Sequence, residues 1–239
     1  KCGTTTLYNA LVQHPNIYST TKKDIHLLDW HYNKGMRWYR GYFPLRIRRF
    51  IVEKIRRKRF ITGEVSSSYM YYHTKLPRRV RKHLGSIKLL AILRNPVERT
   101  YSNYQHMVSY GFEDKSFAEG LRLEKERLRG DIYDQKVFDF AYVDKGFYYR
   151  QIKSWIDIFG KKNIHIIQSE AFLANPQQEM KEICKFLGIP YTDKILYPKL
   201  NKGKYKTKIP AKLRQELVKT FKDENEKLYG LLGKRFDWK

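Results

Sequence analysis

The sequence predicts one α/β domain spanning residues 1–239, with a central, mostly parallel β-sheet between layers of helices. Three observations carry that expectation. The run Ser86-Ile87-Lys88-Leu89-Leu90-Ala91-Ile92-Leu93 is almost continuously apolar, the pattern of a strand buried on both faces of a parallel sheet. The opening residues form a glycine and threonine loop that runs straight into an amphipathic helix, the form of a strand-to-helix turn. A length of 239 residues at 41% hydrophobic content is enough for one full core.

The first element is Lys1-Cys2-Gly3-Thr4-Thr5-Thr6-Leu7, with the helix expected to begin about Leu7. Such a loop offers backbone N–H groups and small hydroxyls at a positive helix end, an anion seat to which Lys1 adds a point charge. The plainer alternative is a surface turn with a helix cap. Because the chain opens inside the loop, an apolar strand is expected just upstream of Lys1 in a longer parent, together with any signal or anchor segment. Leu7, Leu11 and Val12 give the helix its stripe, and His14-Pro15 ends it.

Ile17-Tyr18-Ser19 is a brief extended piece. Within the stretch from Lys22 to Trp30, Asp24, Ile25 and His26 alternate polar and apolar, so Asp24 and His26 would face one cleft as a general base and its helper; a solvated turn with a hydrogen-bonded histidine is the competing reading. Residues 35–44 read as a short aromatic helix and a turn, with Trp38 in the core. Arg46 to Phe60 interleaves eight Lys and Arg with Ile47, Phe50, Ile51, Val52 and Ile55, which predicts an amphipathic helix with a solvated cationic face.

Phe60 to Val65 reads as a buried strand ending in the hydroxyl cluster Ser66-Ser67-Ser68-Tyr69, and strand ends are where open α/β sheets bind ligands. A short basic helix is expected over Leu76 to Leu84. The strand ending at Leu93 delivers Arg94 into a helix start, with Asn95 as N-cap, Pro96 at the first position and Glu98 at the capping-box position. Ser102 follows two turns on. An arginine at a strand end and a serine on the next helix can hold a phosphate together, one by a charge-assisted fork and the other by its hydroxyl.

Farther along, the charged region from Glu113 to Tyr142 reads as helical insertions over the cleft, and Tyr148, Ile152, Trp155, Ile156 and Phe159 form a packing stripe. Asn163 to Ile167 is a further strand with a structural His165. Asn175-Pro176 starts a helix that stops at Leu187-Gly188. Cys184 falls on that helix's apolar stripe and is expected to pack as a small core residue. Asn201-Lys202-Gly203-Lys204-Tyr205 is a basic glycine loop, and a last helix runs from Pro210 to about Leu232.

Charge narrows the partners. Forty-nine Lys and Arg against 24 Asp and Glu give a formal +25, which favours an anionic partner such as a nucleotide, an acidic polysaccharide, a nucleic acid or a lipid surface. Two cysteines, Cys2 and Cys184, are too few for a disulfide framework or a zinc site, and no stretch has the length of a membrane span. The opening loop lacks the Walker pattern, since its lysine precedes its glycine. A P-loop nucleotide or sugar kinase and a basic nucleic-acid-binding module are the rival classes; the first lacks its magnesium-holding residues, the second any recognised module motif.

These motifs together resemble the sulfotransferases that use 3′-phosphoadenosine 5′-phosphosulfate, in the branch of heparan sulfate and other carbohydrate sulfotransferases and their bacterial relatives. Lys1-Cys2-Gly3-Thr4-Thr5-Thr6-Leu7 matches the family's 5′-phosphosulfate loop, and Arg94 to Tyr104 its 3′-phosphate motif, which gives the 3′-phosphate roles to Arg94 and Ser102. Asp24 falls where the family carries its acceptor-activating carboxylate, often Glu, with His26 as the other candidate base. Lys202, Gly203 and Lys204 match a loop that closes over the nucleotide, usually with Arg at the last position. The resemblance implies a P-loop-like three-layer fold and sulfuryl transfer to a hydroxyl or amine of a carbohydrate acceptor, with no metal and no nucleic-acid partner. It implies a Golgi lumenal location for an animal protein and a cytoplasmic one for a bacterial protein, the second being favoured by the scarcity of cysteine.

Overall fold

Helix α1 spans Thr4–Leu11, so the opening loop becomes helical at Thr4 rather than at Leu7. Gly3 caps it with φ 96°, a left-handed conformation open to glycine without a Cβ penalty, and this sharp entry lets the helix begin ahead of its first apolar residue. The computed structural model describes residues 2–131, 133–197 and 208–238. Strand β1 (Ile17–Ser19) follows, then α2 (Gly35–Arg40) and α3 (Arg46–Phe50), which runs on into a π-helical turn over Ile51–Ile55. Next come β2 (Ile61–Gly63), α4 (Leu76–Leu84), β3 (Leu89–Leu93) and α5 (Pro96–Ser109). The chain continues through α6 (Phe117–Arg127), α7 (Gln135–Phe140), α8 (Tyr148–Phe159), β4 (Ile164–Gln168), α9 (Ser169–Ala174), α10 (Pro176–Leu187) and α11 (Ala211–Leu232).

All the strand pairing among the described residues is parallel. β1 pairs with β2, Ile17 opposite Ile61, and β3 with β4, from Leu89 opposite Ile164 to Leu93 opposite Gln168. Successive residues of β3 face opposite layers, as a pleated strand requires. Leu90 and Ile92 pack with Leu7 of α1 and with Met180, Ile183 and Cys184 of α10. Ala91 and Leu93 pack instead with Tyr148 and Ile152 of α8 and with Leu228 of α11. Helices therefore cover both faces, and the fold is the three-layer α/β arrangement the sequence implied.

Local signals hold where their partners are near in sequence. Asn95 accepts from the Val97 N–H at 2.9 Å, Ser116 and Glu119 form a reciprocal capping box at the head of α6, and Gly188 closes α10 in the left-handed region. Glu98 does not complete a capping box with Asn95: it pairs with Arg94 and Arg214 instead. β2 is not the buried strand expected, because Thr62 and Gly63 lie exposed beside β1. Trp38 is half-buried against the cluster around Tyr39, Tyr71 and Tyr72, and Cys184 is buried as expected. His165 stacks on Phe186 at 5.2 Å, and burial lowers its pKa.

The segment after Pro44 departs furthest from expectation. It is helical, but of its apolar residues only Val52 is buried, and Leu45, Ile47, Phe50 and Ile55 lie on the surface. The apolar face that the sequence would place inward has no layer above it.

Candidate active site

The opening loop and the segment that begins at Arg94 meet at the C-terminal end of β3. A Cβ at Gly3 would lie 3.7 Å from Ile92 Cδ1 and 3.7 Å from Ser169 Oγ, which sets the opening loop between β3 and the head of α9. Tyr148, fully buried on α8, donates its hydroxyl to the Arg94 carbonyl oxygen at 2.9 Å and is in hydrogen-bonding contact with the Cys2 side chain. Burial first, and then Cys2, hold the Tyr148 pKa well above the ordinary phenol value. Thr6 is buried and Thr4 and Thr5 are half-buried, so α1 directs its first turn along this strand end. The Arg94 guanidinium lies 3.8 Å from Glu98, and Ser102 is buried on α5.

Two residues outside the sequence expectations fasten this end. The Asn95 N–H donates to Glu170 Oε1 at 2.8 Å, and Trp238 Nε1 donates to the other oxygen of the same carboxylate at 3.4 Å. Glu170 thus ties the residue after Arg94 to the C-terminal tail. Nothing local to Arg94 signals that contact, since Glu170 stands 75 residues from Asn95 and 68 from Trp238.

Asp24 and His26 do come together, though not by alternation along a strand. Both have left-handed backbones, φ 53° and 57°, uncommon for residues with a Cβ. Each such residue costs about 1–2 kcal/mol. Ile25, Leu27 and Leu28 are fully buried in the same stretch and together contribute several kcal/mol, at about 1.5–3 kcal/mol apiece, which more than offsets that strain. The Asp24 N–H also donates to the Val65 carbonyl at 2.9 Å, and the His26 N–H to Ser66 Oγ at 3.3 Å. The hydroxyl cluster after β2 is therefore spent on holding this loop.

The resulting geometry is a chain of contacts that is hydrogen-bonded at each end and open between Asp24 and His26. Lys23 Nζ reaches Thr5 Oγ1 of α1 at 3.3 Å and Asp24 Oδ2 at 2.9 Å, so one ammonium joins the opening loop's helix to the candidate base. On its other side Asp24 Oδ1 stands 3.9 Å from His26 Nε2. His26 Nδ1 contacts Asp29 Oδ2 and Ser68 Oγ, each at 3.1 Å, and Ser68 donates to the same Asp29 carboxylate. Those partners select the tautomer with its proton on Nδ1 and leave the Nε2 lone pair facing Asp24. Trp30 stacks on the imidazole with centroids 4.0 Å apart.

Asp29 is the site residue that sequence reasoning missed, and Ser68, legible there only as part of a ligand-facing hydroxyl cluster, is instead engaged with His26 and Asp29. Asp29 stands three residues past His26, a spacing that a strand reading discards, and Ser68 is 42 residues away from the histidine it touches. Glu64 completes the surroundings. Its carboxyl accepts from Tyr39 at 2.9 Å and from Ser66 at 3.4 Å, and burial pushes its pKa up against the lowering effect of those hydrogen bonds. Lys1, Lys202, Gly203 and Lys204 lie outside the described residues.

The chain matches a family model described as "Sulfotransferase domain" over residues 1–231. Its backbone resembles a sulfotransferase from Alicyclobacillus acidocaldarius at 29% identity, with a TM-score of 0.76 over 99% of this chain and 93% of that one. Among curated proteins it is 26% identical to Heparan sulfate glucosamine 3-O-sulfotransferase 5 of Homo sapiens, covering 100% of this chain and 71% of the human protein. It is 24% identical to Membrane-associated sulfotransferase kil1 of Dictyostelium discoideum, spanning 64% of that protein's length.

Proposed function

The chain belongs to the sulfotransferase domain family, and from that premise we propose that it moves a sulfuryl group from 3′-phosphoadenosine 5′-phosphosulfate to a hydroxyl or amine of a carbohydrate acceptor. The observation that carries this reading is the tether from Thr5 through Lys23 to Asp24, which sets a carboxylate beside the helix start that offers an anion seat. The donor supplies an activated sulfate whose departure leaves negative charge on the nucleotide phosphate. Lys1 and the first-turn N–H groups of α1 stabilise that charge, while Arg94 and Ser102 hold the ribose phosphate. Asp24 takes the acceptor proton, and His26, oriented by Asp29 and Ser68, turns its unprotonated Nε2 toward Asp24 as the group to which that proton can pass. The opening loop fits a phosphosulfate in two respects: a left-handed Gly3 that presents the first turn of α1, and a cationic side chain at Lys23 within the same cluster. A carbohydrate acceptor is supported by the heparan sulfate relative and by a +25 chain that attracts acidic glycans.

Transfer of labelled sulfate from the nucleotide to a panel of glycans, without magnesium, tests the reading. Asp24→Asn is expected to lower turnover about 10²-fold or more, and Lys1→Ala similarly, the first without weakening the binding of 3′-phosphoadenosine 5′-phosphate. Full turnover in Lys1→Ala, or no stabilisation of the protein by that nucleotide, would sink the proposal.

A further inference from the structure

The surface helix after Pro44 presents an unusual combination. Leu45, Ile47, Phe50 and Ile55 are 74%, 60%, 54% and 68% exposed, whereas Val52 is 2% exposed. The inner side is fixed by Val52 and by Arg48, whose guanidinium lies 5.0 Å over the Tyr18 ring. Ile47 and Phe50 are three positions apart and so share a face, one turn from each other, opposite Val52. Lys54 lies on that same face four residues past Phe50, and Arg46 flanks it. Between Leu45 and Arg59 the chain carries eight Lys and Arg against the single acid Glu53, which is engaged by Arg49.

We propose that this helix is an interfacial anchor that docks the protein on an anionic lipid bilayer, with Ile47 and Phe50 entering the headgroup and acyl boundary. A face that is apolar at its centre and cationic at its margins matches such a boundary, where hydrocarbon and negative phosphates lie within a few ångströms of each other. A soluble polyanion would satisfy the arginines and lysines but offers nothing to Ile47 and Phe50. A second copy of the chain would cover the apolar residues, but it would set eight further cations against the first eight. Among the described residues no helix is long and apolar enough to cross a membrane. The docking is independent of the sulfuryl-transfer reading, because none of these side chains is among the residues given a role in that transfer.

The test is co-sedimentation of the full chain with vesicles of phosphatidylcholine alone and of phosphatidylcholine containing phosphatidylserine. The unaltered protein is expected on the anionic vesicles, with binding that weakens as salt rises. Ile47→Ser/Phe50→Ser should lower partitioning at least about tenfold, since two buried apolar side chains are withdrawn. Arg46→Gln/Lys54→Gln/Lys58→Gln should lower it about a hundredfold, at roughly fivefold per cation near the surface. All five side chains are exposed, and unchanged thermal melting of both variants confirms that folding is not the cause. Undiminished binding by the serine variant overturns the proposal, as does equal binding to neutral and anionic vesicles. Failure to bind any vesicle overturns it as well, and retention on a sulfated polysaccharide in that case makes the face a glycan site.

Discussion

At the scale of single residues, the decisive arrangement is the chain of contacts from Thr5 through Lys23, Asp24 and His26 to Asp29. The Asp29 side chain is fully buried, in contact with His26 Nδ1 and accepting from Ser68 and the Trp30 N–H, and reaches Asp24 only by way of the imidazole, so it is a positioning residue. Asp29→Asn should keep nucleotide binding intact but lower turnover about 10²-fold or more and alter the pH–rate profile, because the amide no longer selects the Nδ1-protonated tautomer. A variant that lost activity in step with thermal stability, with an unmoved pH profile, would reduce Asp29 to a packing role. Glu64 gives a second prediction, with its sign fixed by burial. Its folded pKa lies above the ordinary value of 4.5, so its contribution to stability is full below that pH and is lost as pH rises through the folded value. Glu64→Gln still offers an acceptor to Tyr39 and cannot ionise. Its melting temperature relative to the unaltered protein should therefore climb as pH rises above 4.5, and a difference independent of pH would contradict the buried ionisation.

At the scale of elements, the joint between β3 and α5 matters most, because it sets the end of one strand and the start of one helix around Arg94. Two separate devices hold it: the Asn95 side chain caps α5 through the Val97 N–H, and the Asn95 N–H is taken by Glu170. Asn95→Ala removes the first and leaves the second. It should cost about 1 kcal/mol, a fall in melting temperature of about 2–4 °C, and weaken 3′-phosphoadenosine 5′-phosphate binding by less than about tenfold. Arg94→Ala, which takes away a charged donor, should weaken the same binding by roughly tenfold to a hundredfold with little change in melting. Equal losses in the two variants would mean that the cap, rather than the guanidinium, governs the site. The joint was readable in the sequence because a cap needs only its next few residues. The loop from Lys22 to Trp30 was not, since its shape depends on Val65, Ser66 and Ser68 arriving from beyond β2. Periodicity likewise found the helix after Pro44 but could not tell which of its faces another layer would cover.

At the scale of the whole molecule, the three layers were legible for the same physical reason: β3 is apolar at successive positions because α1 and α10 cover one face while α8 and α11 cover the other. Charge is the property that acts across this scale. With 49 Lys and Arg against 24 Asp and Glu, repulsion summed over the surface opposes compaction, and many of the ion pairs that oppose it, such as Arg49 with Glu53, Lys153 with Asp157 and Arg235 with Glu226, are exposed. Exposed pairs contribute little each, with a median near 0–1 kcal/mol. Salt screens both, shortening the Debye length from about 30 Å at 0.01 M to about 8 Å at 0.15 M, but the uncompensated cations outnumber the pairs it weakens. The melting temperature should therefore rise by about several degrees across that range of sodium chloride, the reverse of a protein stabilised by its surface salt bridges. A melting temperature that fell with added salt would show that local pairing outweighs the net +25, and it would remove the reason to expect long-range attraction of an acidic acceptor.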